Sequence, residues 1–128
     1  MKISVITPNY NGERFLEGTL QSVISQREAG VELEYIVVDG QSADRSMDII
    51  RRQGDRVNRV ICEKDTGPAN AINKGLRAAT GDVIGWLNAD DVYRPGALAR
   101  VAKAFESHPG RALCFGHCPI VNEAGDEI

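Results

Sequence analysis

Residues 85–95 read GWLNADDVYRP, an apolar stretch running straight into Asn88, Asp90 and Asp91 before the chain restarts at Pro95. Adjacent carboxylates about 4 Å apart repel by roughly 4 kcal/mol at an effective dielectric near 20, so a compensating group is expected beside them. Oxygen-bearing side chains this close together suit a hard divalent cation, Mg²⁺ or Mn²⁺; the former is usually held by one or two carboxylates and the phosphates of a ligand. Asp90 and Asp91 are the candidate metal ligands. The alternative is that one of them merely caps the helix opened by Pro95. An EF-hand is excluded, because the segment lacks the Gly and terminal Glu of that loop.

The segment TPNYNGERF has a single glycine and an aromatic residue, Tyr10, where a dinucleotide-binding turn would need GxGxxG, and no GxxxxGK[ST] occurs in the chain. A tight phosphate turn and a P-loop are both excluded. Tyr10 offers a flat face for a nucleobase, a contact worth about 1–3 kcal/mol, or else packs under the helix that follows. Asp39 ends the apolar run LEYIVVDG, where an unpaired carboxylate is costly. It needs a donor: a pyrimidine ring N–H, ribose hydroxyls, a backbone N–H or the cap of its own helix. Turn chemistry alone accounts well for DGQSADRS. Cys62, Cys114 and Cys118 form no CxxC pair and are odd in number, which reads as reduced, structural cysteine. On a strand, Cys114 and Cys118 face one way and His117 the other, so zinc is discarded.

Alternating strands and helices must position these groups. KISVITP is a short β-branched run suited to a strand buried on both faces. Asn11 is an N-cap, and Phe15, Leu16, Leu20, Val23 and Ile24 recur at helical spacing, predicting an amphipathic helix over residues 12–27. LEYIVVDG is the second strand; Ser42 or Asp44 then caps a helix carrying Met47, Ile49 and Ile50, which Gly54 closes. NRVICEKD reads as a third strand. Pro68 starts a helix whose buried face is expected at Ala69, Ile72, Leu76 and Ala79, ending at Gly81. DVIGWL is a fourth strand, and Pro95 opens a last helix with Leu98, Val101, Ala102 and Phe105 on one face. RALCFGH and CPIVNEAGDEI read as two further strands, or one bent strand and a turn.

This alternation implies βαβ units and an α/β fold with a mostly parallel sheet flanked by helices. Ligands in such sheets sit beyond the carboxyl ends of the strands, where residues 8–11, 39–40, 65 and 88–91 fall. The 128 residues are one domain's worth of chain, with 42% hydrophobic and 26% charged residues, as in an ordinary globular protein. A net charge of -3 with both signs interspersed leaves no footprint for nucleic acid or an anionic membrane. No stretch approaches the roughly 20 apolar residues of a membrane span, and MKISVITPNYN is too short for a signal-peptide core. A cytoplasmic protein, at most peripheral to the inner face of the membrane, is expected.

Taken together, SVITPNYNGERFLEGTLQSVISQ, YIVVDGQSADRS, EKDTGPANAINKGLRAATGDVIGWLNADD and YRPGALARVAKAFESHP resemble the family 2-type inverting glycosyltransferases of the GT-A fold. The resemblance runs over nearly the whole chain. It implies a sugar transfer from a nucleoside-diphosphate sugar, a UDP-sugar foremost, to an acceptor hydroxyl of a glycan or lipid-linked acceptor, with metal assistance. By the same resemblance Pro8 and Tyr10 line a base pocket, Asp39 takes the base ring N–H, and Asn9 and Gly40 beside them belong to the nucleotide site. Asp65, Asn73, Lys74 and Gly75 fall in a segment whose turn and helix flank the nucleotide. Asn88-Ala89-Asp90 stands at the family's DxD motif, with Asp90 bridging a metal to the diphosphate and Asp91 as substitute ligand. Asn88 and Asn70 stand where related sequences often have acids, and an asparagine brings no charge to a metal.

The resemblance also implies that the acceptor-binding half and the general-base carboxylate lie beyond residue 128, so that residues 1–128 are a shortened nucleotide-sugar-binding domain. His117 and Glu123 match no motif for that base. Sheet surface left uncovered would then favour self-association. The competing reading is a non-catalytic module that binds a nucleotide sugar or a protein partner. A sugar nucleotidylyltransferase is disfavoured, since TPNYNGER lacks its Gly-rich basic loop.

Overall fold

A computed structural model describes residues 1–128, the side chain of residue 28 excepted. Strands β1 (Lys2–Asn9), β2 (Glu32–Asp39), β3 (Arg59–Cys62) and β4 (Val83–Trp86) alternate with helices α1 (Glu13–Ile24), α2 (Ser46–Arg51), α3 (Pro68–Ala78) and α4 (Ala97–Ser107). The sheet is parallel in the order β3-β2-β1-β4. The predicted α/β class is therefore the observed one. From β1 the chain steps outward through β2 to β3, then crosses back to lay β4 on the other side of β1. That reversal opens a crevice at the carboxyl ends of β1 and β4, the place where such sheets bind ligands.

Register decides what meets there. Asn9 pairs with Asp39 and Asp39 with Cys62, so three strand ends stand in a row. Ile6 pairs with Trp86, and Leu87 donates to the Ile6 carbonyl at 2.9 Å, which brings the 88–91 turn beside the end of β1.

Alternation along β1 feeds two cores. Ile3 and Val5 pack with Leu16, Leu20 and Val23 of α1, with Tyr35 and Val37 of β2, and with Leu98 of α4. Ile6 faces the other way and packs with Ile36, Val38 and Ala71. The Tyr35 hydroxyl meets Thr7 Oγ1 at 2.9 Å inside the first core, and burial pushes its pKa up.

Several local expectations are corrected. The buried positions of α3 are Ala71 and Gly75, while Leu76 is 41% exposed. The helix lies so close to the sheet that a Cβ at Gly75 would come 2.5 Å from Ile6 Cγ2, and small residues therefore take the inner face. Gly12, not Asn11, caps α1; Asn11 is left-handed at φ 51° and its Oδ1 accepts from Ala43 N at 2.8 Å. The helix tightens to a 3-10 turn over Ser25–Ala29, and Phe15 lies outside the core at 38% exposure. Arg45 is the N-cap residue of α2, with Asp44 Oδ1 accepting from Ser46 N at 2.9 Å. No strand forms among the described residues after α4; a single antiparallel bridge, Val121 to Glu127, closes a turn. No neighbouring strand covers the apolar residues there, and Leu113 and Phe115 are 77% and 88% exposed.

Candidate functional site

A cavity of about 780 Å³ opens at the β1–β4 crevice. Pro8, Asn9 and Tyr10 form one wall together with the start of α1, Asp65 and Pro68 form a second, and Asn88, Ala89 and Asp90 form a third. The volume lies within the range of small-molecule sites. Tyr10 is 67% exposed and does not pack beneath α1, so its ring is free to stack.

Behind Tyr10 lies a polar knot centred on Asp39, which is fully buried. Its Oδ1 accepts from Asn9 Nδ2 at 2.8 Å and Ser42 Oγ at 2.7 Å; its Oδ2 accepts from Ser42 N at 2.8 Å, with Cys62 Sγ at 3.8 Å. Ser42 Oγ also accepts from Asn11 N at 2.8 Å. The carboxylate thus finds its donors within the protein and ties together the loops after β1, β2 and β3. It does not line the cavity, and a base N–H would reach it only by displacing one of these donors. Asn9 lines the cavity, and its buried Oδ1 has no hydrogen-bond partner among the described residues.

Gly40 lets two walls meet. A Cβ there would sit 2.6 Å from Asp65 Oδ2 and 3.3 Å from Tyr10 Cδ2. Asp65 Oδ1 accepts from Gly67 N at 3.0 Å, closing the turn into α3. Asn73 and Lys74 are not brought to the cavity. Lys74 Nζ donates to the Lys64 carbonyl at 2.7 Å and pairs with Glu63 at 3.2 Å, away from the ligand space.

The acidic turn resolves its repulsion by splitting. Asp91 Oδ2 accepts from Asn88 Nδ2 at 3.3 Å and lies outside the cavity, whereas Asp90 lines it. Thr19 Oγ1 fixes the turn by donating to the Asp91 carbonyl at 2.8 Å. The expected Asp90–Asp91 ligand pair is therefore not assembled. Among the described residues no group of three or more His, Cys, Asp or Glu side chains is arranged to hold a metal ion. What remains is one cavity carboxylate, Asp90, and the Asn88 amide, whose Nδ2 is engaged and whose Oδ1 is left as acceptor. Such a donor set fits Mg²⁺ or Mn²⁺ bound mainly through a ligand's phosphates.

At the start of α1, Gly12, Arg14 and Phe15 line the cavity, and the sequence reading assigned none of them to a site; the same holds for Gly67, Pro68 and Ala71 at the start of α3. Helical periodicity put Phe15 in the core and said nothing of Arg14, because periodicity ranks faces by burial rather than by what they border.

Comparison with solved structures defines the class. The fold superposes on residues 1–349 of TarS of Staphylococcus aureus in complex with UDP-GlcNAc, with TM-score 0.75 and 26% identity over 90% of this chain and 37% of that one. It also superposes on the mannosyltransferase PcManGT of Pyrobaculum calidifontis with GDP-Man and Mn²⁺, with TM-score 0.70 and 29% identity over 80% of this chain and 32% of that one. This is a GT-A-like domain. The chain belongs to glycosyl transferase family 2, whose model matches residues 4–125.

Among curated relatives, the poly(ribitol-phosphate) β-N-acetylglucosaminyltransferase TarS of Staphylococcus aureus is 30% identical over 88% of this chain. The GalNAc(5)-diNAcBac-PP-undecaprenol β-1,3-glucosyltransferase of Campylobacter jejuni is 31% identical over 95% of it. The chain spans 20% and 40% of the lengths of these two relatives.

Proposed function

We propose that this chain holds the nucleoside-diphosphate sugar of a glycosyl transfer, a UDP-sugar by preference, and serves the leaving-group side of the reaction. One observation carries the reading: a single cavity at the sheet's switch point brings Tyr10, Asp65, Asn88 and Asp90 to one volume of nucleotide size. Support comes from family membership and from the nucleotide sugars in the solved relatives.

In this reading Tyr10 stacks on the base against Pro8, and Asp39 holds Asn9 and the Tyr10 loop from below. Asp65 and Gly40 bound the ribose side, with Lys74 behind that wall on the Lys64 carbonyl. Asp90, with Asn88 Oδ1, would hold Mg²⁺ or Mn²⁺, and Asp91 orients Asn88. Bound there, such a cation would supply positive charge at the leaving diphosphate. An acceptor hydroxyl attacking with inversion also needs a proton acceptor. Asp65 is committed to Gly67 N and Asp90 to the phosphate end, so that group is assigned to neither.

The acceptor in this proposal is a glycan or lipid-linked hydroxyl, met in the cytoplasm or at the inner face of the membrane. A lipid-linked acceptor is supported by the name of the Campylobacter relative. With the proton acceptor unassigned, a second reading stands beside the first: a module that binds the nucleotide sugar without transferring it. Turnover of a UDP-sugar separates the two.

The test is calorimetric titration of UDP, with GDP as comparison, with and without Mn²⁺, on this chain and on Asp90→Ala. Metal-dependent UDP binding that disappears in the variant is expected. Folded protein that binds neither nucleotide overturns both readings.

A further inference from the structure

We propose that Arg14 binds the phosphate of the ligand, and that Glu123 competes with that phosphate for the same guanidinium. The assignment rests on the nucleotide reading above and adds to it a residue and a competition. Of the charged residues lining the cavity, Asp65 and Asp90 are acidic and Arg14 alone is basic. A diphosphate entering between two carboxylates needs a cation, and Arg14 is the one the protein itself supplies there.

Local geometry keeps that cation at the wall. Arg14 Cζ lies 5.0 Å from the centroid of the Phe15 ring, and Phe15 lines the same cavity, so the guanidinium rests on an aromatic face beside the ligand space. Its present partner is replaceable. Arg14 meets Glu123 Oε2 at 2.6 Å, but the two side chains are 68% and 71% exposed, and so exposed a pair contributes little. A phosphate offers the planar fork two oxygens at once, which a guanidinium binds well.

Glu123 is presented by a turn built for it. Asn122 Oδ1 accepts from Ala124 N at 3.0 Å and Asp126 N at 2.9 Å, and Ile128 N donates to the Ile120 carbonyl at 3.0 Å. The other arm is tied by Arg94 to Glu127 at 3.1 Å, on the segment that follows the 88–91 turn. Two ion pairs thus tether one turn to α1 and to the segment leaving the acidic turn. A phosphate that takes Arg14 releases one tether and leaves the other.

The experiment is titration of the full chain with UDP and with uridine, in EDTA and in Mn²⁺, for the unaltered protein, Arg14→Gln, Arg14→Lys, Glu123→Gln and the Arg14→Gln/Glu123→Gln double variant. Thermal melting checks that each is folded. Arg14→Gln is expected to weaken UDP by about tenfold or more while leaving uridine within about twofold, with Arg14→Lys between. Glu123→Gln is expected to tighten UDP by about twofold, and this gain should vanish in the double variant.

Arg14→Gln binding UDP as the unaltered chain does, or a Glu123→Gln gain that survives without Arg14, overturns the assignment and leaves the nucleotide reading intact. UDP bound no better than uridine also overturns it. Failure of the unaltered chain to bind either ligand overturns the nucleotide reading itself, and this assignment with it.

Discussion

At the scale of single residues, the cavity depends on side chains whose neighbours limit what can replace them. Gly40 is the tightest case: any side chain must displace the Asp65 carboxylate and press on Tyr10. Gly40→Ala is expected to weaken UDP binding more than it lowers the melting temperature, a contrast read by calorimetry and thermal denaturation on the same sample. Tyr10 is exposed, so Tyr10→Ala should leave stability nearly unchanged. It should still raise the Kd for UDP by roughly tenfold, as expected for the loss of about 1–3 kcal/mol of stacking. An unchanged Kd would remove the base from this wall. The sequence reading expected a cation at the acidic motif, yet only one of its two acids lines the cavity. Residue spacing tells which side chains are near one another along the chain, whereas the turn's hydrogen bonds tell which way each points.

At the scale of elements, one contact sets how closely α3 approaches the sheet and another ties the loop after it to the sheet. Gly75 allows α3 to approach Ile6; Gly75→Val forces the helix outward and should destabilise by about 1–3 kcal/mol, seen as a lower urea midpoint. At the opposite end of the sheet, Glu34 accepts from Ser4 Oγ and from Thr80 N and Oγ1, each at 2.8 Å from Thr80, with Lys2 at 3.5 Å. Burial alone would raise its pKa, but the hydrogen bonds from Ser4 and Thr80 and the charge of Lys2 pull it down to about 2. A depressed carboxylate stabilises the fold above its ordinary value of 4.5 and loses that contribution as pH falls from there toward 2. Melting temperature should therefore drop between those pH values, and Glu34→Gln should flatten the drop while being less stable at neutral pH. Strand and helix order was readable from apolar periodicity. The buried face of α3 was not, because the pattern points to the largest apolar residues while the close approach to the sheet selects the smallest.

At the scale of the whole molecule, β4 ends the sheet with Ile84 and Trp86 at 42% and 61% exposure, and Leu113, Phe115 and Ile120 add further uncovered apolar surface. Apolar surface of this kind promotes association. Light scattering is expected to show self-association that rises with concentration, and Leu113→Lys with Phe115→Lys should reduce it. A concentration-independent monomer would show that this surface is tolerated in water. No helix among the described residues is long and apolar enough to cross a membrane.

The amino-acid sequence by itself determined the α/β class, the parallel sheet, the strand ends at which ligand-facing loops emerge, and the resemblance that family membership bears out. These follow from local rules, since periodicity and turn residues act over a few positions. Tertiary structure alone decided that Asp39 is enclosed by Asn9 and Ser42, that Asp90 rather than Asp91 enters the cavity, and that Arg14 and Phe15 stand at its wall. Those outcomes depend on strand register and on how closely helices approach the sheet. Both are settled by packing between segments far apart in the chain, which no short stretch of residues encodes.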